Sequence, residues 1–90
     1  MYDSYISDLL KKKLNKISKK DRVLYIQILK KIDEIKNNSD VGHYKNLRYN
    51  MKDSKRVHLG SFVLIFQFIK EKNLINFDDF DHHDNIYLDN

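Results

Sequence analysis

The sequence predicts an α+β domain, an N-terminal αα hairpin packed on a small antiparallel β-sheet. Three observations carry that expectation. Through residue 36, apolar side chains recur at three- and four-residue spacing, the period of one helix face. After a turn-rich stretch at residues 37–44, the period shortens to two, as on a half-buried strand. The chain has 90 residues with no proline and no cysteine. It is therefore expected to form a single domain, 1–90, whose small core rests on apolar burial without disulfides.

The elements follow in order. Tyr2, Ser4 and Ile6 fit a short N-terminal edge strand; Tyr2, Tyr5, Ile6 and Leu9 fit an extension of the first helix, and the strand is the preferred reading. Ile6, Leu9, Leu10, Leu14 and Ile17 make the apolar stripe of the first helix, with Lys11, Lys12, Lys13 and Lys16 on its other face. Ser7 suits its N-cap. Tyr25, Ile28, Leu29, Ile32 and Ile35 mark a second helix, announced by Ser18 and Asp21 at capping-box spacing, with Asp in place of Glu. The short join predicts an antiparallel hairpin.

Leu47 to Met51 is a short strand candidate, closed by a turn over residues 51–54. Lys55 to Leu59 alternates Arg56 and His58 with Val57 and Leu59. Gly60-Ser61 gives a tight turn or a bulge. Phe62 to Phe66 is apolar on both faces, which suggests a central strand covered on each side. Lys70 to Asn73 is a loop, and Leu74 to Phe80 the return strand.

Composition narrows the function classes. No basic-then-apolar leader pattern and no apolar run near ~18 residues occurs, so the expected compartment is the cytoplasm, with no membrane partner. The absence of cysteine removes thiol catalysis and Cys-based zinc sites. Net charge is +4 but uneven, +5 over residues 1–45 and −1 over residues 46–90. The basic half suits a polyanion such as RNA, or an acidic protein.

The chemistry-bearing residues lie in the last third. His58 stands on one strand, and His82 and His83 at the end of another. Two imidazoles on opposite sides of a reacting bond suit general acid–base catalysis near neutral pH. Adjacent strand residues point to opposite faces, so only one of His82 and His83 can join His58 while the strand continues. Arg56 shares the face of His58 and could offer forked donors to phosphate oxygens, or pair with Asp78 or Asp79 across the sheet. Tyr87 is a candidate for stacking on an unpaired base. Asp79, Asp81, His82, His83, Asp84 and His58 are metal-ligand types, but contiguous residues rarely converge on one ion, and no metal or cofactor is expected.

Leu14-Asn15-Lys16-Ile17 in a helical hairpin, then "HYKNLRY", "RVHLGSFVLIFQF" and "NFDDFDHHDNIY", together resemble the RelE/ParE superfamily of type II toxins, with greatest similarity to archaeal RelE-like and YafQ-type proteins. The resemblance spans nearly the whole chain. It implies a sheet packed on a helical hairpin, ribosome-dependent and metal-independent cleavage of messenger RNA, and inhibition by a small, acidic, part-disordered antitoxin. It also implies residue roles. His58 falls on a catalytic strand histidine, His83 on a C-terminal histidine acting as general acid, and His82 on a histidine of other branches. Arg56 and Tyr87 fall on a basic strand position and a C-terminal aromatic. Lys55, Arg48 and His43 are candidate RNA contacts. Val63 stands where relatives carry a basic residue, and the C-terminal segment is acidic where many are basic.

Two other readings remain on the same fold: a ParE-like poison of DNA gyrase, and a non-catalytic module that binds RNA or protein. The paired histidines favour the nuclease.

Overall fold

The computed structural model describes residues 2–38, 41, 44 and 54–87, the last by its backbone alone. Its elements run β1 (Asp3–Ile6), α1 (Asp8–Lys20), α2 (Arg22–Asn37), β2 (Ser54–Leu59), β3 (Phe62–Ile69), β4 (Leu74–His82) and α3 (His83–Tyr87). A 3-10 turn at Lys70–Lys72 joins β3 to β4. The four strands lie in the order β1-β4-β3-β2. β2, β3 and β4 are antiparallel neighbours, whereas β1 runs parallel to β4, so the sheet is mixed. The expected strand Leu47–Met51 lies outside the described residues, and Ser54 opens β2 rather than ending a turn.

Ser7 fixes the first helix where the sequence places its cap. Its hydroxyl oxygen accepts from the Leu10 amide at 3.0 Å, and the same hydroxyl donates to the Asp78 carbonyl at 2.6 Å. Its own amide donates to the Phe77 carbonyl at 3.0 Å. One residue thus ends β1, starts α1 and ties both to β4. The second cap differs from the expectation. α1 continues to Lys20, and Asp21 alone, with φ −145°, breaks the helix and accepts the Leu24 amide at 3.1 Å. Ser18 remains inside α1 and donates back to the Asn15 carbonyl, as mid-helix serines do.

The core joins Leu10 and Leu14 of α1 and Ile28, Ile32 and Ile35 of α2 to Leu64, Phe66, Ile75, Phe77 and Phe80 of the sheet. Leu9 and Leu29, expected on the apolar stripes, stay 51% and 39% exposed. Each directly neighbours a core residue in sequence (Leu10 or Ile28) and is turned about 100° away from it by the helical repeat.

The register of β3 on β4 slips between Ile65 and Phe66, which pair with Asp79 and Phe77, leaving Asp78 as an extra residue. That bulge puts both Phe77 and Phe80 into the core although they are three residues apart, and it redirects Asp79 and Asp81. Val63 and Ile65 face the opposite side, where they form a second small cluster with Ile86 of α3. The expectation of a β3 buried on both faces therefore holds, with α3 as the second cover. No described helix is long and apolar enough to cross a membrane.

Candidate active site

Directly paired residues of an antiparallel sheet share a face. His58 pairs with Val63, and Val63 with Asp81; Arg56 pairs with Ile65, and Ile65 with Asp79. Arg56 and His58 thus project from the face opposite the helical hairpin, beside the Val63, Ile65 and Ile86 cluster. The Gly60-Ser61 turn, with Gly60 at φ +61°, returns the chain into β3. It also serves β4, because the His83 amide donates to the Ser61 carbonyl at 2.8 Å. This bond starts α3 directly over the end of β2. As a result the His58 and His83 rings lie 5.8 Å apart between centroids, with their planes tilted by 31°.

His82 does not join them. It pairs with Phe62, and its ring meets the Phe62 ring edge-on at 5.6 Å on the helix-covered side. Its Nδ1 accepts the Asp84 amide at 3.2 Å, so this imidazole caps the first turn of α3. Lys55 also points away from His58. It pairs with Phe66, and its ammonium donates to the Tyr44 carbonyl at 3.3 Å. Tyr87 ends α3. His43 and Arg48 lie outside the described residues.

Sequence reasoning missed the groups that hold this face together. Lys13 of α1 reaches β4, where its ammonium meets Asp79 at 2.6 Å and Asp81 at 3.0 Å. Burial alone would lower the Lys13 pKa, but the two carboxylates outweigh it and leave the ammonium harder to deprotonate than usual. The other Asp81 oxygen accepts from the Asn85 side chain of α3 at 2.8 Å and from the His82 amide at 2.7 Å. The Asn85 bond, with help from Lys13 and the His82 amide, holds the Asp81 carboxyl below its ordinary value. Asp78 moves the other way, raised by burial and by the neighbouring Asp79 charge. Lysine at the margin of the α1 stripe and Asn85 four residues past Asp81 were the available signals. Neither is distinctive without the fold.

Asp84, 80% exposed, places carboxylate oxygens 3.7 Å from His82 and 3.6 Å from His83. A cavity of about 410 Å³ opens between Ile17, Leu24, Phe62 and Phe80 and reaches Lys13 and Asp81, and its lining includes neither His58 nor His83. His58 and His83 are both exposed on the face away from the helical hairpin. Among the described residues no three His, Cys, Asp or Glu side chains group as a metal site.

A helical hairpin thus covers one face of a mixed sheet, and an imidazole pair stands on the other. The crystal structure of the isolated Escherichia coli RelE toxin superposes with a TM-score of 0.74 at 19% identity, over 91% of this chain and 84% of that one. A chain of the intact Escherichia coli RelBE toxin–antitoxin complex gives 0.70 at 19% identity, over 91% and 96%. Identity this low shows the fold alone. No family model matches the sequence. The chain is, however, 49% identical over 88 residues to the protein named "Putative toxin RelE4" of Methanocaldococcus jannaschii, covering 97% of this chain and 92% of that protein. The chain belongs to the RelE family of toxins.

Proposed function

We propose that this toxin is a ribosome-dependent endoribonuclease that cuts messenger RNA by its own groups, without a metal. The observation that carries the reading is the His58–His83 pair, 5.8 Å between ring centroids on the exposed face. With a hydrogen-bond reach of about 3 Å each, two imidazoles at this separation can address both ends of one phosphodiester. His58 takes the proton of the ribose 2′-hydroxyl as that oxygen attacks the adjacent phosphorus. The bond from phosphorus to the 5′-oxygen breaks, and His83 gives that oxygen its proton. The products are a 2′,3′-cyclic phosphate and a free 5′-hydroxyl. Arg56, on the face of His58, supplies donors to the non-bridging oxygens as charge builds. Tyr87 stacks on a neighbouring base.

The expected inhibitor is an antitoxin, a small acidic chain that folds around the toxin. Support comes from the solved RelBE toxin–antitoxin complex on the same fold and from the basic first half of the chain.

Primer extension on translating ribosomes tests the reading. Purified toxin is expected to produce discrete cuts in the messenger, and folded His58→Ala and His83→Ala variants none. Growth arrest with intact transcripts and altered DNA supercoiling would replace it with gyrase poisoning. Translation unaffected by the wild-type protein would leave a binding module.

A further inference from the structure

Lys13, Asp79, Asp81 and Asn85 have no part in the chemistry just described, yet they form one connected polar group. What they connect is the buried half of the molecule to the platform under His83. α3 has only five residues, far below the length at which a helix holds itself together in water. Its position is therefore set by tertiary ties. Its first amide is held by the Ser61 carbonyl at 2.8 Å. Ile86 rests on Val63 and Ile65. Asn85 is anchored to Asp81 at 2.8 Å.

The Ser61 bond, the Asp84 amide on His82 and the Ile86 contact hold the start and one side of the short helix. The Asn85–Asp81 bond, two residues past His83, adds a directional side-chain tie to β4 that resists rotation about the Ser61 anchor. Asp81 can serve as an anchor because it is itself held: Lys13 binds its second oxygen at 3.0 Å, and α1 carries Leu10 and Leu14 into the core on either side of Lys13.

We propose that Asp81 and Asn85 are positioning residues for cleavage. One carboxylate oxygen is locked to the core helix through Lys13 and the other to α3 through Asn85, and this fixes the His83 imidazole against that of His58. The inference rests on the reading of the histidine pair as the acid–base couple. It also gives two carboxylates of the acidic segment, Asp79 and Asp81, a structural role, with the single charge of Lys13 shared between them.

Asn85 is exposed, so its replacement leaves the fold standing while cutting the tie. With Asn85→Ala, single-turnover cleavage on programmed ribosomes is expected to fall about tenfold to a hundredfold, the cost of displacing a reacting group by about an ångström. The apparent KM and the melting temperature stay near wild type. In the free protein the nuclear Overhauser contact between the His58 and His83 rings weakens. Asn85→Gln, which keeps an amide donor on a longer arm, recovers part of the rate. Cleavage by Asn85→Ala at the wild-type rate, or an unchanged ring contact, overturns the proposal even if His83→Ala is inactive. Full cleavage by His83→Ala instead overturns the acid–base reading itself.

Discussion

Replacing Ser7 by alanine removes two hydrogen bonds with one atom. The hydroxyl caps α1 through the Leu10 amide and donates to the Asp78 carbonyl at the β4 bulge. Losing an N-cap costs about 1 kcal/mol. The Asp78 carbonyl then loses its donor at a partly buried position, which costs about 1–2 kcal/mol more. The loss of about 2–3 kcal/mol is a large part of the stability of a small domain. At about 4–8 °C per kcal/mol for a domain of this size, the melting temperature should fall by roughly 10–20 °C. Thermal and urea unfolding followed by far-ultraviolet circular dichroism reads this directly, with Ser7→Thr as a control that keeps the hydroxyl and recovers most of the loss. A change under about 0.5 kcal/mol, the range of an indifferent surface substitution, would refute the role assigned to this residue in joining α1 to β4.

Other perturbations are equally specific. Gly60 adopts φ +61° with open space where a Cβ would stand, so Gly60→Ala should cost only backbone strain, about 1 kcal/mol in urea unfolding. Asp78 has a raised pKa in the fold, so its charged form weakens the folded state above that pKa, and the penalty disappears as pH falls and the carboxyl protonates. Asp78→Asn should accordingly raise the melting temperature at neutral pH and lose this advantage in acid. Asp81 is lowered, so its contribution is present above the ordinary aspartate value and lost as pH falls through the lower folded one; Asp81→Asn should be most damaging at neutral pH and least in strong acid. Lys13→Met leaves Asp79 and Asp81 without their shared cation and should cost about 1 kcal/mol at low ionic strength, less as salt is added.

Much of this architecture was legible because local and global preferences agree. The change from helical to strand period, the Ser7 cap, the Gly60-Ser61 turn and the two-sided burial of β3 all follow from residues near one another in sequence. The same holds for the opposition of His82 and His83, which the end of β4 turns into two separate roles. What escaped depends on distant partners. The bulge at Asp78 and the parallel pairing of β1 arise from the fit of β4 to two neighbours at once. Asp21 capped the second helix because α1 ran on through Ser18, an outcome that nearest-neighbour chemistry leaves balanced. Lys13 read as one of several solvated lysines, and only the folded chain brings it to two carboxylates more than sixty residues away. Lys55 followed the strand alternation as Arg56 did, but to the opposite face.

The proposed cleavage requires His58 and His83 to act on one phosphodiester. A double-mutant cycle for single-turnover cleavage on programmed ribosomes, using His58→Ala, His83→Ala and both together, measures this. If the imidazoles form one acid–base unit, either single substitution should lose nearly as much rate as the pair. Losses that multiply independently, or a single variant that cuts as fast as wild type, would contradict it.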